Sequence, residues 1–167
     1  MKTFTKPQDW LIPTMIILIF FIVVLVIVVF MGKLPGKGSG VLEIQDSVSG
    51  KVYSRYPLGK DSDFSIEFIH SVNMSPVMDT FKAEGKQISL IASRFFTYGA
   101  GMPAELEEGL TLEHHDGALV ITGYNRKFNE LNYIVGTVSD HLLFINGKTI
   151  SLRDLCGRNA HVRIKVK

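Results

Sequence analysis

A single cysteine, Cys156, stands in the 167 residues, so no internal disulfide can form and cysteine usage identifies no redox compartment. Its neutral reading is a small apolar residue or an inert thiol. No Cys-x-x-Cys pair, no His-Glu-x-x-His and no aspartate-rich calcium loop occurs. The commonest zinc and calcium sites are thereby missing, and no metal or cofactor is expected. No glycine-rich loop separates a strand from a helix, so a phosphate cradle of that kind is absent. There is no tandem repeat and no sustained helical periodicity beyond residue 40. Excess positive charge is lacking too. Residues 41–167 hold 14 Lys/Arg against 15 Asp/Glu, a net of −1, although the whole chain carries +2. A nucleic-acid binder would show a basic stripe, and nucleic acid is not an expected partner.

Charge is also missing from Leu11 to Met31, where Met15 to Met31 is wholly apolar. About 20 such residues span a hydrocarbon core about 30 Å thick, and a helix pairs all its own backbone groups in lipid. Pro13 suits the first turn and Trp10 an interfacial position. The run is longer than a signal-peptide core, and Val-Val-Phe-Met-Gly-Lys after it makes a poor cleavage site. The pattern predicts a tail over 1–10, a transmembrane helix over 11–31, a Gly-rich linker over 32–40 and a β domain over 41–167. Lys2 and Lys6 flank one end of the run and Lys33 and Lys37 the other, so the positive-inside rule does not choose between orientations. A short tail before one early span favours a single-pass protein of the cytoplasmic membrane with its β domain outside.

What is present beyond residue 40 reads as strands with punctuation. Val41–Asp46, Lys51–Tyr56, a hairpin within 64–81, Ile88–Phe95, Leu110–His115 and Ala118–Thr122 come first. Asn129–Val135, Leu142–Ile145, Lys148–Leu152 and Ala160–Val166 follow. Asp116-Gly117 and Asn146-Gly147 suit two-residue type I′ turns. In the last strand Val162, Ile164 and Val166 alternate with His161, Arg163 and Lys165, a basic face that is a common device of edge strands. Ala104–Glu108 allows one helical turn at most. About nine or ten short strands predict an all-β antiparallel sandwich or small barrel.

The unusual chemistry lies in Phe64 to Phe81. Phe64, Ile66, Phe68, His70 and Val72 share one strand face, and Val77, Asp79 and Phe81 match them across a turn at Asn73 to Pro76. With Val72 opposite Val77, His70 opposes Asp79 and Phe68 opposes Phe81. Closing the next turn with Ala83 opposite Ile88 sets Phe81 against Leu90, Asp79 against Ala92, and Arg94 diagonal to Asp79. Beside Arg94 the Asp79 carboxyl would titrate low, and beside Asp79 the imidazole high. His70, Asp79 and Arg94 then form either a ligand-lining cluster or a structural network that needs no ligand. Ser71 faces away from His70, which removes a Ser–His–Asp triad on these neighbours. His114 and His115 point to opposite faces and cannot readily share a metal, and Asp116 is spent as a turn residue.

Phe95-Phe96-Thr-Tyr-Gly-Ala-Gly-Met-Pro103 is the second notable stretch. It reads either as an aromatic corner or as a loop over the His70 pocket, supplying Tyr98 with Gly99, Gly101 and Pro103 as its shaping residues. Glu105, Glu107 and Glu108 follow as a solvated acidic patch.

These two stretches resemble a bacterial family known only as a domain of unknown function. Its members share His-Ser-Val, then Pro-Val and an acidic residue, then Phe-x-x-Tyr/Phe-Gly-Ala-Gly-Met/Leu-Pro. Here they are His70-Ser71-Val72, Pro76-Val77, Asp79 and Phe95 to Pro103, within a resemblance covering about residues 41–155. Asp79 stands where glutamate is the commoner residue. Genes of this family are often found beside TAXI-type TRAP transporter genes. The resemblance therefore implies an accessory or binding module of a solute uptake system, in contact with the permease or its solute-binding protein. No catalytic residue is implied. The alternatives are a structural or assembly membrane protein and, more weakly, a hydrolase using the His70–Asp79 pair.

Overall fold

The computed structural model describes residues 17–24, 40–99, 102–103 and 105–167. The chain divides into two compact units, residues 1–35 and 36–167. In the first, residues 17–24 form a helix, α1, whose apolar side chains are all exposed. At about 1.5 Å per residue these eight described residues cover about 12 Å. No helix among the described residues is long and apolar enough to cross a membrane. The expected tail, the remainder of the 11–31 run, linker residues 32–39 and Gly101 lie outside the described residues.

Among its described residues the second unit holds two antiparallel sheets and no closed barrel. Four strands make the smaller sheet, in the order β2 (Val52–Pro57), β1 (Val41–Asp46), β11 (His161–Val166), β8 (Leu131–Ile134). The larger begins β10 (Lys148–Ser151), β9 (His141–Ile145), β3 (Asp63–His70), β4 (Ser75–Glu84). It continues β5 (Gln87–Phe95), β7 (Ala118–Phe128), β6 (Thr111–His115). Period-2 alternation gives each sheet one apolar face, and the two faces meet. Leu42, Ile44, Val162 and Ile164 from the smaller sheet and Phe64, Ile66, Phe81, Ile88 and Leu143 from the larger belong to one buried cluster. Burying side chains of this size contributes about 1.5–3 kcal/mol each. A second cluster, Val77, Phe95, Leu119 and Ile121, lies further along the same face of the larger sheet. Met102 and Leu110 of the β5–β6 connection pack against it.

The two-residue turns are as the sequence predicts. Asp116 and Gly117 have φ of 50° and 74°, and Asn146 and Gly147 have 52° and 70°, positive as type I′ geometry requires. Two expectations change. The basic strand β11 is not an edge, because it pairs with β1 on one side and β8 on the other. Its cations face acids instead: Lys165 Nζ lies 3.7 Å from Glu43 and Arg163 Nε 3.2 Å from Glu130. A one-turn helix, α2 (Leu152–Cys156), follows β10, capped by Ser151 Oγ, which accepts from Asp154 N–H at 2.9 Å.

The central hairpin is the main correction. Its turn is residues 71–74, closed by Met74 N–H donating to His70 O at 2.8 Å, and not Asn73 to Pro76. Phe64 therefore opposes Phe81, Ile66 opposes Asp79, Phe68 opposes Val77 and His70 opposes Ser75. The slip is four residues, an even number, so the strand side chains keep their expected face, while Val72, expected on that face, lies exposed in the turn. On the other side, Phe81 opposes Leu90 as the spacing predicts, but Ile91 has no partner in either neighbouring strand. This bulge sets Asp79 against Ser93 and leaves Arg94 opposite Met78.

Candidate ligand-binding site

A cavity of about 440 Å³ opens on the inner face of the larger sheet. Strand alternation sets its floor: Phe68 and His70 from β3, Val77 and Asp79 from β4, Leu90, Ser93 and Phe95 from β5. Tyr124 and Arg126 of β7 join them, and Met102, Pro103, Glu107 and Leu110 of the β5–β6 connection complete the wall. Asp79 also borders a second cavity of about 260 Å³, shared with Leu131, Asn132 and Tyr133 of β8. It is thus a polar point on an otherwise apolar row, Phe64, Ile66, Val77 and Phe81 being buried around it.

Asp79 has little to hold it there. Ser93 Oγ donates to Asp79 Oδ1 at 2.6 Å. Among the described residues no Lys, Arg or His forms an ion pair with it. Burial pushes the carboxyl above its ordinary range, and the Ser93 hydrogen bond only partly offsets this. The expected lowering by Arg94 does not occur, because the bulge turns that side chain to the other face. Neighbouring phenols register the same surroundings. Tyr124 is raised by burial and further by the Asp79 charge, with Ser93 pulling the other way. Tyr133 is raised by burial, and again Asp79 adds to it.

His70 and Asp79 line one cavity without forming a pair. Four residues of strand separate their positions along the hairpin, about 13 Å at about 3.3 Å per residue. That distance removes the His–Asp couple on which a hydrolase would depend. Val72 N–H donates to His70 Nδ1 at 3.4 Å, a long hydrogen bond. Tyr98 is 70% exposed and does not line the cavity, whereas Pro103 does. Gly99, at φ 128°, lies so close to the Asn73 side chain that an added Cβ would be 3.2 Å from it. Ser75 Oγ and Thr97 Oγ1 are hydrogen-bonded at 2.7 Å, so this loop and the hairpin turn are joined side by side.

Several lining residues were missed in the sequence. Tyr124 and Arg126 lie beyond Gly123, where the expected strand stopped; β7 instead runs on to Phe128. Gly123, at φ 87°, meets the Gly109 carbonyl too closely to carry a side chain. An isolated glycine within a strand pattern is itself the signal of such a close approach. Glu107 is exposed, as expected of a solvated acid, and it is also paired with Arg126. His114 and His115 are exposed, and His115 Nδ1 is 2.8 Å from Asp116 Oδ2. No group of three or more His, Cys, Asp or Glu among the described residues could hold a metal ion. Burial and the Asp46 charge push the Cys156 thiol up to about 11, which leaves it inert near neutrality.

Residues 64–152, from the second residue of β3 through the start of α2, match the profile of a family described as "Domain of unknown function (DUF1850)". All the cavity-lining residues named above fall within that span. No curated protein and no solved structure matches the chain.

Proposed function

We propose a binding function, without catalysis, for this protein, which belongs to the DUF1850 family. In this reading the β domain is an accessory module of a TRAP-type solute uptake system and takes a small molecule in the Asp79 cavity. One observation carries it: a half-buried carboxyl lines a cavity of about 440 Å³ with no cation assigned to it. A buried charge without a partner costs free energy, and a structural role would supply the partner. Perturbed carboxyls in clefts are the usual mark of functional sites. The volume suits a compact organic molecule.

The link to uptake rests on the family resemblance, and the anchor on the uncharged run from Leu11 to Met31. With that run in the cytoplasmic membrane, the β domain lies outside, where it meets a permease or its solute-binding protein. The hairpin turn and the adjoining loop supply an apolar surface for such a contact: Val72, Met74, Phe96 and Tyr98 are all exposed.

The test is transporter-dependent uptake in cells whose own copy of the gene is deleted. Restoring the parent chain returns uptake, and Asp79→Asn at equal membrane abundance does not. Full uptake with Asp79→Asn at normal abundance contradicts the reading.

A further inference from the structure

The seam around Asp79 offers acceptors where a ligand would meet it. Ser93 has one hydroxyl proton and donates it to Asp79 Oδ1, so its oxygen can only accept, and the Tyr124 hydroxyl is already hydrogen-bonded to it. An ionised Asp79 is acceptor-only as well. The one arginine on the lining, Arg126, is held by Glu107 at the rim, and those two charges cancel. With His70 neutral, the described lining therefore carries one uncompensated negative charge, at Asp79. Around it stand Phe68, Phe95 and Tyr124, rings whose faces attract cations, and the aliphatic Val77.

We infer that the cavity takes a small organic cation, a primary or secondary ammonium on an apolar body, with its N–H groups on Asp79. This rests on the binding function proposed above and adds the ligand's charge. A carboxylate would bring a second anion beside Asp79, where the Tyr124 hydroxyl is already hydrogen-bonded to Ser93. An alcohol would satisfy the hydrogen bonds and leave the charge standing.

The pH dependence has a fixed sign. A cation binds the ionised carboxylate, so below the raised Asp79 value binding must expel a proton, and affinity falls as pH falls. Above that value affinity is level. The other groups facing Asp79 are Tyr124 and Arg126 on β7, Glu107 in the connection, Tyr133 on β8 with Glu130 before it, and His70 at the far end of the hairpin. Both tyrosines titrate far above neutrality, and Glu130 is held by Arg163. A protonated His70, or a protonated Glu107 that leaves Arg126 unbalanced, would give the same trend.

The experiment is calorimetric titration of the full chain with three probes of one shape: benzylammonium, benzyl alcohol and benzoate. Benzylammonium is expected to bind best, less tightly as pH falls through the raised Asp79 value, with His70→Gln retaining that dependence. Asp79→Asn is expected to weaken it at least about tenfold, as loss of one member of a buried charge pair does. Should that variant melt early, the parent chain decides alone. Below the raised Asp79 value its binding enthalpy must vary with the ionisation enthalpy of the buffer, reporting up to one proton released per ligand. Benzoate or benzyl alcohol binding as tightly as benzylammonium overturns the inference and leaves a binding cavity in place. Binding of none of the three overturns the inference and the binding function together.

Discussion

Two acids, one in each sheet, are shielded from water, and their surroundings are opposite. Glu43, on β1 of the smaller sheet, is 3% exposed. Arg55 Nη2 lies 2.8 Å from it, Lys165 Nζ 3.7 Å and Lys167 Nζ 3.9 Å. Burial alone would raise its carboxyl, but the Arg55 hydrogen bond and the three cations outweigh it and hold it below the ordinary value. Asp79, in the larger sheet, has one serine hydroxyl and is raised. The chain thus surrounds with counter-charge the acid that serves the fold, and leaves bare the one that lines a cavity. A buried ionisable group is a site candidate when its partner is missing, not because it is buried.

The widest effect follows from reversing the paired acid. Glu43→Lys sets four cations together and should cost about 2–4 kcal/mol by denaturant unfolding, less than a sealed pair because the cations stay partly in solvent. Neutralising it is milder: Glu43→Gln should cost about 1–2 kcal/mol at pH 7. Because the folded value of Glu43 is depressed, its contribution is present above the unfolded value and lost as pH falls through the folded one. The gap between parent and Glu43→Gln should therefore close in acid.

Asp79→Asn carries the reverse sign. A raised carboxyl stabilises the fold below its unfolded value and loses that contribution as pH rises through the folded value. The variant should melt at or above the parent's temperature at pH 8, with the difference shrinking toward pH 4. A lower melting temperature at pH 8 would make Asp79 another Glu43 and erase the contrast. The smallest effect belongs to the residues outside the cavity. Arg94→Ala and Tyr98→Phe should each leave benzylammonium affinity within about twofold of the parent, inside the spread expected of residues that do not touch the ligand.

Much of this was legible before the fold. Two Asx-Gly turns fixed two hairpins, because their positive φ angles leave little alternative. The inner face of β3 and β4 was read correctly although the turn was misplaced, since an even slip preserves strand faces. Side-chain pairing was not legible, for the same reason: parity says nothing about which residue lies opposite. Arg94 was lost to the Ile91 bulge, which no glycine or proline announces in the sequence. Ser93 gained its place by the same extra residue. Tyr124, Arg126 and Glu107 reach the cavity through strand order, from segments distant in the chain. Gly123 was the overlooked clue, read as the end of a strand when it marks a close approach within one.

The central claim is that the Asp79 carboxyl is kept without a counter-charge until a ligand provides one. The direct measurement is its titration in the full chain by carboxyl carbon NMR, with and without benzylammonium. The account predicts a midpoint above that of a free aspartate, about 3.9, that drops when the cation is added. A midpoint at or below the free value in the unliganded chain would contradict it.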